Sequence, residues 1–121
     1  MLNSLSGKTS VYLYALQKVA TFRPLEATHL LQKVFEKGDL NTRLLAFRTT
    51  LFSPHMGDGK LIGDFFIKLM AATTKEEREE IVEPFFTNLL QKSESQISKS
   101  AQGKLAWLSA LYHGWKQESL S

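Results

Sequence analysis

The sequence predicts an all-α protein: a compact single-domain bundle spanning residues 1–121, built from five or six amphipathic helices with short connections. Three observations predict it. Apolar pairs recur every four residues in Ile81-Val82, Phe85-Phe86 and Leu89-Leu90, which paints one stripe down a helix. Two overlapping Thr-x-x-Glu signals, Thr73 with Glu76 and Thr74 with Glu77, open that run, and this pairing satisfies free N–H groups at a helix start. With 43% hydrophobic and 22% charged residues, the 121-residue chain has the composition of a globular domain able to bury its own core.

The first helix is expected to be capped by Thr9 or Ser10 and to run to about Phe22. Its stripe is read as Val11, Tyr12, Ala15, Leu16, Val19 and Phe22, with Tyr14, Gln17, Lys18 and Thr21 on the polar side. Leu13 and Ala20 add apolar surface elsewhere, so this helix is expected to be covered on more than one side. Pro24 suits the first turn of a second helix, where its missing N–H has no partner to lose, and Gly38 suits its end. Ala27, Leu30, Leu31, Val34 and Phe35 form the core stripe between them. Asp39 then caps a third helix reaching about Phe52, with Leu40, Leu44, Phe47 and Leu51 inward.

Residues 53–59, with Pro54, Gly57 and Gly59, form the clearest loop. A fourth helix follows to about Ala72, with Leu61, Ile62, Phe65, Phe66 and Leu69 inward and Asp64 and Lys68 paired outside. In the helix after Thr74, Pro84 cannot donate to Glu80, so a kinked but continuous helix is expected. Residues 93–100 read as a polar linker. The last helix runs from about Ala101 to Gln117 on a stripe of Leu105, Leu108, Leu111, Tyr112 and Trp115. No internal repeat at a fixed period stands out.

Chemistry is sparse. With no cysteine, the chain has no disulfides and no thiolate chemistry. Glu26 and His29 make a single Glu-x-x-His unit, but a di-iron bundle needs two such units plus two more glutamates facing inward. His55, Asp58 and Asp64 flank the glycine loop without a zinc spacing. Gly57-Asp58-Gly59-Lys60 lacks the Ser/Thr and the preceding strand of a phosphate-binding P-loop. The glutamates at 76, 77, 79 and 80 sit in the first turns of a helix, where acids favour the dipole. No catalytic set converges, so no enzyme, cofactor or metal is expected.

Two binding surfaces remain. Trp107, Leu111, Tyr112 and Trp115 concentrate aromatic surface on the final helix, the expected site for a protein partner or for self-association. The leading expectation is therefore a small non-enzymatic interaction module: an adaptor, regulator, secretion-associated factor or assembly subunit. The alternative is a nucleic-acid-binding domain using Lys33, Lys37, Asn41, Arg43 and Arg48 on the two helices around Gly38, in the manner of a helix-turn-helix. Residues 1–50 carry seven Lys/Arg against three Asp/Glu, a basic excess that suits an anionic partner. No apolar run is long enough to span a membrane, and Met1–Ser6 lacks the features of a signal peptide, so a soluble, cytoplasmic protein is expected.

Overall fold

The computed structural model describes residues 2–91 and 98–120, and every described element is helical. The helices are α1 (Leu2–Ala20), α2 (Pro24–Lys37), α3 (Leu40–Phe52), α4 (Gly59–Ala72), α5 (residues 75–90) and α6 (Lys99–Leu120). The all-α expectation and the helix count hold. The chain divides into two compact units, Met1–Gly57 with α1–α3 and Asp58–Ser121 with α4–α6.

In the first unit, α1 packs on both α2 and α3, and α2 packs on α3. The stripe expected for α1 is corrected here. Of its six residues only Leu16 is buried, together with Leu13 and Ala20, whereas Val11, Tyr12, Ala15, Val19 and Phe22 are exposed. The helix is apolar on opposite sides, and burying leucines removes more aliphatic surface without stranding a tyrosine hydroxyl. The helix also begins well before Thr9, running through Gly7 from Leu2. In α2, Ala27, Leu31 and Phe35 are buried one turn apart, while Leu30 stays at the surface. In α3, Leu44, Phe47 and Leu51 are buried as expected, and so are Ala46 and Thr50. The Thr50 hydroxyl donates to the Ala46 carbonyl at 2.9 Å, so its burial leaves no bare donor.

The segment after α3 is not simply a wet loop, because Ser53 and Met56 are both buried and only Pro54, His55 and Asp58 are open. Gly57 takes φ 76°, a left-handed conformation that a Cβ would strain.

In the second unit, α4 buries Leu61, Ile62, Phe65, Phe66, Leu69 and Met70. Of the two overlapping capping signals before α5, the second is the one used. Thr74 accepts from the Glu77 N–H at 3.1 Å, and Glu77 accepts from the Thr74 N–H at 2.9 Å. Thr73 instead ends α4, its hydroxyl donating to Met70 O at 3.3 Å. Helix α5 is continuous through Pro84, as expected, by a specific device. Lys75–Glu77 leads into a π turn at Arg78–Val82, and Glu83–Leu90 resumes the α-helix. The Glu83 N–H reaches back five residues to Arg78 O, and the widened turn comes immediately before the proline whose ring would crowd a normal one.

The two units share one internal device. Arg43 Nε donates to Phe35 O at 3.0 Å, and Arg78 Nη1 donates to Met70 O at 3.2 Å. Each arginine lies four residues after an N-cap, Asp39 or Thr74, and reaches a carbonyl four residues before it. The paired helices α2 and α4 each have 14 residues, and Pro24 to Gly59 and Arg43 to Arg78 are the same thirty-five-residue step. A repeat of local geometry therefore exists where the residue pattern showed none.

Candidate interaction surfaces

Helix α6 carries the aromatic residues expected to bind a partner. Ser98 caps it, its hydroxyl oxygen accepting from the Ala101 N–H at 3.2 Å. Ala101, Lys104, Leu105, Leu108 and Tyr112 are buried along one face. Tyr112 belongs to the core of the second unit: Phe66 stacks on Phe86 at 5.6 Å between ring centres, and Phe86 meets Tyr112 edge-on at 5.5 Å. Its hydroxyl donates to Glu83 Oε1 at 3.3 Å. Burial first, and then the Glu83 charge, pushes the Tyr112 phenol above its usual value, so it stays protonated and acts as a donor.

The other three residues stand further out. Trp115 stacks on Tyr112 at 6.3 Å and is half-buried, as is Leu111. Trp107 keeps 46% of its surface exposed, and its ring lies across α4 at the two places where that helix has no side chain, Gly59 and Gly63. Gly103, Ala110 and Gly114 share the exposed face with Trp107, at the i, i+4, i+7, i+11 spacing of one helix side. Space around Gly103 and Gly114 is open. The result is a low, flat strip of backbone beside one large aromatic ring.

A polar groove of about 560 Å³ runs between α5 and α6, with Glu79, Glu83, Asn88, Tyr112 and Lys116 in its wall. Two turns earlier on the buried face of α6, burial pushes the Lys104 amine below its usual value, and the nearby Asp58 carboxylate partly opposes that shift.

The residues of the nucleic-acid alternative differ in exposure. Lys33, Lys37, Asn41 and Arg48 are exposed, with the Arg48 guanidinium 5.9 Å from the Phe52 ring centre. Arg43 is turned inward: besides its bond to Phe35 O it donates to Glu36 O at 3.2 Å and lies over the Phe35 ring. It closes the α2 C-terminus, where a cation is favoured.

The weaker chemical candidates also find their places. Glu26 pairs with Arg23 at 3.5 Å on the surface, and His29 is exposed beside it. Asp58 caps α4 by accepting from the Leu61 N–H at 3.0 Å, which fills the position an anion would take in a phosphate cradle. Asp64 pairs with Lys68 at 3.1 Å, as expected from their spacing. Among the described residues, no group of three or more His, Asp or Glu side chains gathers at a metal-sized site.

Sequence reasoning missed one surface. The exposed side of α1 and the α1–α2 turn carry Val11, Tyr14, Val19, Phe22 and Leu25 in the open, beside an open hollow of about 390 Å³ on α2. The signal lies in Leu13 and Ala20, which mark a second apolar side of α1, but Val11, Val19 and Phe22 are expected inside and stand outside.

No protein-family model, curated protein or solved structure matches this chain. Its own side chains are what speak for its role.

Proposed function

We propose that this protein is a non-enzymatic helical interaction module whose protein-binding face is the outer side of α6, with a second copy of the chain or another protein as partner. The observation that supports it most directly is the placement of a half-exposed Trp107 beside Gly103, Ala110 and Gly114. Small residues let another helix come close, and an aromatic ring at the edge of such a strip supplies the buried area that dominates an interface. Leu111 and Trp115, both half-buried, extend that surface, whereas Tyr112 serves it indirectly as the core residue that seats Trp115. Nucleic-acid binding ranks second, through Lys33, Lys37, Asn41 and Arg48, because Arg43 is turned toward the end of α2, where it donates to two carbonyls.

Gly103→Gln and Gly114→Gln test the proposal. Both add bulk without charge into open space and raise helix propensity, so the fold is retained. Self-association measured by light scattering, or retention of protein partners by the immobilised chain, should be lost in these variants. Unchanged assembly and unchanged partners would overturn the proposal.

A further inference from the structure

Phe22 and Leu25 are 86% and 85% exposed, the most open large apolar side chains among the described residues. They flank Arg23-Pro24 at the turn between α1 and α2. Behind them, Val11, Tyr14 and Lys18 continue an outward line on α1, with the Lys18 ammonium 5.2 Å from the Tyr14 ring centre. Through residue 25 the sequence holds Lys8, Lys18 and Arg23 and no carboxylate. The unit as a whole, residues 1–57, carries seven basic against three acidic side chains.

We propose that the α1–α2 turn docks the protein peripherally on an anionic lipid surface. Phe22 and Leu25 enter the boundary between headgroups and acyl chains, and Lys8, Lys18 and Arg23 meet the lipid phosphates. Charge decides against a second copy of the chain: pairing α1 with itself sets lysine against lysine with no carboxylate to answer it. Shape decides against a folded partner, because two side chains protruding from a tight turn need a matching pocket in a protein but none in a bilayer. The only acid beside the turn, Glu26, is held by Arg23 in an exposed pair that lipid phosphates compete with readily. Attachment of this kind is superficial, and no described helix is long and apolar enough to cross a membrane.

The experiment is co-sedimentation of the full chain with vesicles of phosphatidylcholine alone and of phosphatidylcholine with phosphatidylserine, at low and high salt. Wild type should sediment with the anionic vesicles, weakly or not at all with the neutral ones, and less at high salt. Phe22→Ser with Leu25→Ser should lower binding on the order of tenfold or more. Lys18→Glu should lower it by about fivefold or more. All three sites are exposed, so an unchanged urea midpoint confirms that folding is intact. Gly114→Gln, on the other unit, should leave vesicle binding as it is, which separates this surface from the α6 face. Absence of binding to anionic vesicles, equal binding to neutral ones, or indifference to the Phe22 and Leu25 changes would each overturn the proposal. So would loss of a protein contact, instead of vesicle binding, in the double variant.

Discussion

The Arg43 guanidinium donates to the carbonyl of Phe35, eight residues earlier, across the turn that joins α2 to α3. That single bond, with its companion to Glu36 O, answers carbonyls that the end of α2 leaves without helical partners. Arg78 does the same for Met70 at the end of α4.

Removing either arginine should therefore cost stability even though neither is a core residue. Arg43→Ala and Arg78→Ala are each expected to lower the unfolding free energy by about 1 kcal/mol, read from urea titrations. Arg43→Lys should recover only part of the loss, since one ammonium cannot reproduce the planar fork that reaches two carbonyls.

Two glycines should respond in opposite directions to alanine. A Cβ on Gly38 would lie 2.8 Å from the Val34 carbonyl and against the Thr42 side chain, so Gly38→Ala should destabilise. At Gly63 the new methyl would sit 3.7 Å from the Trp107 ring, an ordinary contact, inside a helix. Gly63→Ala should stabilise by about 0.5–1 kcal/mol, measured by thermal unfolding of both variants beside wild type.

The cap of α3 should be visible in the acid limb of the stability curve. Asp39 accepts from the Thr42 N–H at 2.9 Å, and that backbone bond, with a further one from the Thr42 side chain, holds its carboxyl below the usual 3.8. A lowered value in the folded state gives stability that is present above pH 3.8 and lost as the pH falls through the folded value. Asp39→Asn should keep most of the cap while flattening that part of the curve, and Asp39→Ala should cost about 1 kcal/mol at neutral pH.

At alkaline pH two residues of α6 pull in opposite directions. Burial lowers the Lys104 value below 10.5, so between that lowered value and 10.5 the unfolded chain holds the extra proton and stability rises with pH. The Tyr112 phenol is raised above 10.0, so its contribution is present below pH 10 and lost as pH climbs through the folded value. Lys104→Met should raise the melting temperature at neutral pH and remove the alkaline gain. Tyr112→Phe should remove the loss above pH 10. A Lys104→Met protein that melts lower at neutral pH would contradict this account.

Most of the helices were legible because their signals are local. Asp39, Thr74 and Pro24 act within one turn of where they stand, and the stripes of α2 and α4 have polar residues opposite to define them. Helix α1 misled because apolar residues line both of its sides, and only packing selects Leu13 and Leu16 over Val11 and Phe22. At the candidate α6 face, the aromatic cluster was legible, but not that Tyr112 would turn into the core while Trp107 leaned over two glycines of α4. The repeated arginine tie escaped notice because it recurs as geometry: across the matched helix pairs, only Lys33 with Lys68 and Arg43 with Arg78 are the same residue.

The ties that end α2 and α4 span eight residues, and the caps that begin α3, α4 and α5 span three. Closing such short loops costs little chain entropy, and contacts this near in sequence form early and fast. Each tie can thus close as soon as its own arginine has been made, before α6 exists to cover Phe86. Until the final helix is made, Phe66 and Phe86 lack the Tyr112 ring that closes their cluster.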